Sequence, residues 1–380
     1  MRLFSLLLLS AAWLITARAE SLSFQLPEKL HAVPGIETNI YFDNLVLVPN
    51  PDNYIFDVEA DIGRHEQRRW TFTPETGDVG SHEVKIRVSD GEKLLAEGVI
   101  QVEVVPADAG HDREITLLIV GDSHTARAVY PLHLRHRLAA EGNPRVKMIG
   151  TNGPEWTPGK DGVSFEGYGG WRWETYLSKT APDNPDKPHP NDVASPFLKV
   201  SDGGAELDFQ GYLNRVNDGK APDFIMIMLG CNDIFGAVDA TLEARVKSIV
   251  DGDAARLLGE FRRVAPQAQI GLALVIPPAA SQDPFGLNYG SGQSRWQYKR
   301  NAHRLNAALL SRFGGDAVPG ISLIPVNLNL DCVNNYPFYT APVNQGNPVE
   351  IRRQYDSVHP APEGYHQIGD TIFAWLKSRL

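Results

Sequence analysis

At 380 residues, with 42 % hydrophobic and 22 % charged residues, the chain has the composition of a soluble globular protein and exceeds one typical domain. Two domains are expected, and general disorder is excluded. The formal net charge of −10 argues against nucleic acid or an anionic membrane as the main partner, because both select a basic face.

In chain order, the first element is a secretory signal. Arg2 is followed by the apolar run 3–15 and then by Ala17-Arg18-Ala19, which supplies a charged start, a short apolar centre and an A-x-A site. Residues 1–19 are expected to be a signal peptide cut after Ala19, giving a secreted or periplasmic chain without an integral membrane anchor. The apolar run is too short to span a bilayer, and no Cys follows it to carry a lipoprotein anchor. Residues 20–106 read as all-β. Segments 38–48, 54–60, 69–72, 82–88 and 98–105 are rich in Val, Ile, Phe and Tyr and are separated by Pro, Gly, Asn and Asp. That spacing predicts a small sandwich of immunoglobulin or cadherin type, not a disulfide-pinned one, since the region holds no cysteine. Residues 107–112 read as a short linker.

From 113 to 380 the pattern changes. Apolar runs at 115–120, 146–149, 224–229, 270–276 and 321–326 alternate with helical patterns at 125–141, 209–216, 254–264, 298–313 and 363–379. Buried strands alternating with amphipathic helices predict an α/β domain, a flavodoxin-like doubly wound five-stranded parallel sheet. Ligands of such sheets bind beyond the carboxyl ends of the strands. Residues 181–195, rich in Pro, Asp and Asn, read as a surface loop. Cys231 and Cys332 lie far apart in sequence and read as two small buried thiols, a disulfide being the alternative in an oxidising compartment.

Chemistry concentrates at strand ends. The first run leads into Gly121-Asp122-Ser123-His124-Thr125, a strand-to-helix turn that presents Ser123 near free N–H groups; alone, it fits a helix N-cap better. Near the other end, Asp356-Ser357-Val358-His359-Pro360 precedes the last helix. Asp and His at this spacing can set a carboxylate against an imidazole whose second nitrogen takes a serine proton; alone, they also fit a capping Asp with a surface His. Acyl transfer needs donors for an oxyanion. Asn232, in Gly230-Cys231-Asn232-Asp233, stands at the end of the third run, and 166–171 supplies unhindered glycine N–H groups. A turn residue and a flexible loop are the structural alternatives for these positions.

GDS after the first strand, a Gly after the second, GxND after the third and DxxHP before the last helix together resemble the SGNH (GDSL) hydrolases, with the four blocks in order across residues 115–380. The resemblance implies Ser123 as nucleophile, His359 as general base and Asp356 as its orienting acid. It implies an oxyanion hole from the Ser123 and Gly170 N–H groups and the Asn232 side chain, and no cofactor or metal. Gly169 is the fallback for Gly170. His124 stands where the family often carries Leu, a change to the local pocket rather than to the mechanism. Segment 166–176, with Gly169-Gly170-Trp171-Arg172-Trp173, is similar to a bacterial subset whose members are often carbohydrate O-acetylesterases. An acylated carbohydrate is therefore the expected substrate, with Trp171, Trp173 and Asp233 against it. Trp296, Tyr298, Phe197 and Tyr289 are further candidate sugar platforms, and core packing is the plain alternative for all these rings.

Competing readings are a lipase or thioesterase, an acyltransferase using the same nucleophile, and a non-enzymatic glycan-binding protein. Asp122 and His124 also form a D-x-H, but a metallophosphoesterase would need a second Asp cluster. The G-x-S-x-G elbow of α/β-hydrolases is absent, because Thr125 stands where it needs Gly.

Overall fold

The computed structural model describes residues 22–315 and 317–380; the expected signal peptide and its cut after Ala19 lie outside them. Among the described residues, no helix is long and apolar enough to cross a membrane.

One parallel sheet carries the site. Its strands are β1 (Glu114–Gly121), β2 (Arg145–Ile149), β3 (Glu166–Gly167), β4 (Phe224–Met228), β5 (Gln269–Ala273) and β6 (Ile321–Ile324). β1 lies between β4 on one side and both β2 and β3 on the other, and β5 and β6 follow β4 outward. Ile149 of β2 pairs with Leu118 and Glu166 of β3 pairs with Val120, so β3 continues the edge that β2 begins. The sheet thus counts six strands, not five. The extra one is two residues long and sits in a Gly-rich segment too short to show a period.

The strands are apolar on both faces because helices cover both. Leu118 and Val120, with Ile225 and Ile227, pack under helices Phe209–Val216, Ala255–Val264 and Arg295–Phe313. Leu117 and Ile119, with Phe224 and Met226, pack under Val129–Leu138 and Pro362–Lys377. Each such side chain contributes about 1.5–3 kcal/mol when fully buried. The helix expected over 125–141 is two pieces, α1 (Ser123–Ala126) and α2 (Val129–Leu138), with Ala128 at φ 60° between them. Pro131 explains the break: in a continuous helix its ring would clash with the preceding turn, whereas here it falls in the first turn of α2.

The N-terminal region is all-β. A four-stranded sheet runs Lys29–Ala32, Leu94–Val104, Gly80–Ser89, Ile55–Glu59, and a three-stranded one runs Thr38–Tyr41, Arg69–Phe72, Arg64–His65. Val84, Ile86 and Val88 alternate inward with Ile100 and Val102, and Leu328 of the α/β region completes this core. Hydrogen bonds join the two regions. Asn44 Nδ2 donates to the carbonyls of Asn327 (2.8 Å) and Leu330 (2.9 Å), Asn39 N–H to Asn329 Oδ1 (2.9 Å), and Tyr41 N–H to Leu328 O (3.0 Å). Both cysteines are free and buried.

Candidate active site

Ser123 opens α1 at the carboxyl end of β1. Gly121 is required just before it: a Cβ there would lie 2.0 Å from Thr125 Oγ1, so only glycine lets α1 fold back against its strand. Asp122 caps α1, accepting the His124 N–H on Oδ1 at 3.0 Å.

The far end of the chain closes on this turn. Ser123 Oγ lies 2.9 Å from His359 Nε2, and His359 Nδ1 lies 3.1 and 3.2 Å from the two oxygens of Asp356. With Nδ1–H donating to the carboxylate, Nε2 is left to accept the serine proton. Asp356 also accepts the backbone N–H groups of Val358 (3.2 Å) and His359 (3.0 Å) and meets the exposed Arg127 guanidinium at 3.3 Å. Burial works to raise its pKa, but the bonds from the His359 ring and these N–H groups outweigh it and hold the carboxyl at about 2.

Asn232, on α3 (Cys231–Ile234) after β4, places its amide beside the same turn. Its Nδ2 donates to Trp171 O at 3.0 Å and to Asp122 Oδ2 at 3.3 Å. Gly169 gives its N–H to Asn191 Oδ1 at 2.7 Å. Gly170, exposed and at φ 80°, has no acceptor for its N–H among the described residues. Of the adjacent glycines, Gly170 is the one left able to meet a ligand. A nucleophilic hydroxyl, an oriented imidazole and nearby N–H donors can together perform acyl transfer.

Residues 117–372 match the GDSL-like lipase/acylhydrolase family. The chain belongs to that family. Membership, with a parallel sheet and an all-β region before it, supports a carboxylic ester hydrolase. Among curated proteins none matches. Similar solved structures include a Clostridium thermocellum family 3 carbohydrate esterase, at 15% identity and TM-score 0.40 over 69% of this chain and 94% of that one. They also include Est24, a carbohydrate acetylesterase from Sinorhizobium meliloti, at 15% identity and TM-score 0.37 over 70% and 100%.

In this GDSL-like chain the residues expected against substrate lie beneath the surface. Trp171 and Trp173 are each 3% exposed. Trp171 packs on Tyr168 at 4.3 Å and Tyr176 at 4.8 Å, and its indole N–H goes to Asn191 O. Asp233 accepts the Trp173 N–H at 3.2 Å, and burial pushes its carboxyl up to about 7. These groups shape the Gly169–Gly170 loop from below. Phe197 and Tyr298 are likewise buried, whereas Tyr289 and Trp296 are exposed.

Two residues of the site were given no part in acyl transfer by the sequence. Asp122, 1% exposed, joins Ser123's turn to Asn232; burial, more than the neighbouring Asp233, pushes it up to about 7. Its place inside GDS was the available signal. Arg127 carried none. Asp122, His124 and Cys231 bring ligand-type atoms within 4.8 Å of one another. A cation there would have to take Asp122 from Asn232 and strip a thiol whose pKa burial raises.

Proposed function

We propose that the chain is a serine esterase that removes short acyl groups, acetyl foremost, from a carbohydrate. The observation that carries the reading is the hydrogen-bonded line Ser123–His359–Asp356, at 2.9 and 3.1 Å. Ser123 Oγ attacks the ester carbon while His359 Nε2 takes its proton. Collapse of the tetrahedral adduct expels the sugar oxygen, to which His359 returns the proton. Water then gives a proton to His359 and attacks the acyl-enzyme, releasing carboxylate and Ser123. Asp356 keeps the imidazole oriented and stabilises its cationic form. The oxyanion is met by the Ser123 and Gly170 N–H groups and by one N–H of Asn232, turned from its Asp122 contact, the longer of its two. Catalytic hydrogen bonds of this kind tighten when substrate arrives. No cofactor enters. The N-terminal region, read as an immunoglobulin- or cadherin-like sandwich, contributes docking and stability but no catalytic group, and the protein works outside the cytoplasm. Transfer of the acyl group to a second sugar hydroxyl would use the same steps.

The test is hydrolysis of aryl acetate and aryl octanoate by the full chain and by Ser123→Ala. Acetate should be turned over faster, and the variant should lose about five to six orders of magnitude in kcat with its Tm unchanged. Near wild-type activity in Ser123→Ala would remove the nucleophile. An octanoate preference would put a lipase in place of the acetylesterase.

A further inference from the structure

The segment leading into Asp356 is a hairpin that the acyl-transfer steps do not require. Strands Phe338–Asn344 and Asn347–Gln354 pair only with each other among the described residues. Their register sets Tyr339 opposite Arg353 and Ala341 opposite Ile351, with Thr340 opposite Arg352 between them on the other face. Tyr339 is 38% exposed, and Tyr355, which follows the second strand, is 44% exposed. An isolated pair of strands is only marginally stable in water, so a hairpin that keeps large rings exposed calls for a use.

The rings are continuous with the site. Tyr339 and Tyr355 lie 6.4 Å apart, and Tyr355 adjoins Asp356. Helix Asp283–Tyr289 links them to the helix that carries Asn232. Asn288 Nδ2 donates to Tyr355 O at 3.0 Å, and the Tyr289 hydroxyl stands 3.5 Å from Ser357 Oγ. Tyr289 meets Phe235 edge-on at 5.0 Å, and Phe235 caps the helix that carries Asn232. Among these rings, Arg353 faces Asp283 across 3.3 Å.

We propose that this aromatic rim binds the sugar units flanking the acylated one, so that the protein acts on a glycan chain and not only on a free acylated sugar. The inference takes the location of the site from the esterase reading. A pyranose offers a C–H face to an aromatic ring and hydroxyls to charged or amide groups, and the rim supplies both through its rings and the Arg353–Asp283 pair. A lipid tail would select aliphatic surface instead. On this hairpin the aliphatic residues Ile351 and Val349 sit toward the tip, away from Asp356.

The test runs the full-chain Ser123→Ala protein on native gels containing acetylated xylan, glucomannan or pectin. At least one polymer should retard it. Adding Tyr339→Ala should weaken the apparent affinity about tenfold, on the order of one lost stacking contact, whereas Tyr339→Phe should not. In active protein, Tyr339→Ala should lower the ratio of polymer to aryl acetate kcat/KM by about the same factor. No retardation by any polymer, equal retardation with and without Tyr339, or an unmoved ratio overturns the rim. So does concentration-dependent self-association that Tyr339→Ala abolishes. Retardation by a wild-type chain that hydrolyses no acetyl ester would overturn the esterase reading and leave the rim standing.

Discussion

Ser123 and Asn232 stand where β1 and β4 end, each strand buried on both faces, and the turn packs so closely on Gly121 that no side chain fits there. Asp356 and His359 stand on a loop between an exposed hairpin and the final helix. Val358 is buried in the core and Ser357 O accepts the Ala279 N–H, but the bonds that orient the His359 ring converge on one carboxylate. The core therefore fixes the half of the site assigned to bond making, and Asp356 fixes the half assigned to proton movement. A substitution in the first half should remove one chemical contribution. A substitution at Asp356 should unfasten a neighbour.

Asp356→Asn tests the weaker fastening and should cost the most of the three changes considered next: about 10⁴ in kcat, because the amide no longer fixes the productive imidazole tautomer. Steady-state kinetics on an aryl acetate would show it. A loss of less than tenfold would mean that packing alone holds His359, and the two halves would not differ. Asn232→Ala, in the core-held half, should cost on the order of 10²–10³ in kcat with little change in Tm, as loss of one oxyanion donor does elsewhere. A change confined to KM would make Asn232 a substrate contact only.

The smallest effect sharpens the comparison through pH. Asp356 is held at about 2, below the ~3.9 of an unfolded chain. Its stabilisation is therefore present above about pH 4 and is lost as pH falls toward about 2. The buried Asp122 and Asp233, pushed up to about 7, act with the opposite sign at higher pH, so the reading must be a difference. Wild type minus Asp356→Asn in Tm should shrink as pH falls from about 4 toward about 2. A difference that grew on acidification would contradict the bonding described for Asp356.

The sheet and the site residues were legible because strand runs and motif spacing are local. Each of the five apolar runs carries a strand, and the helix expected over 209–216 spans Phe209–Val216, with Asp208 as its cap. The residues assigned to chemistry meet where the motifs put them, Ser123 beside His359 and His359 beside Asp356. What could not be read were features decided by contacts distant in sequence. The Trp171 ring is drawn inward by Tyr168, Tyr176 and Asn191, although its neighbour Gly170 faces out. Arg127 meets Asp356 across most of the α/β region. The hairpin at 338–354 escaped because Pro342 and Pro348 interrupt its alternation, as prolines do in strands left at an edge. Strand Lys29–Ala32 has too few residues to show a period.

The junction between the regions bears on the order in which the molecule assembles. Leu328 fills the N-terminal core, and Asn44 and Asn39 bind residues 327–330. The β region thus cannot complete its interior until the chain has been made well past the nucleophile. Joining such distant partners means closing a very long loop, which slows folding far more than it weakens the product. The β region can be finished only after residue 328 has been made.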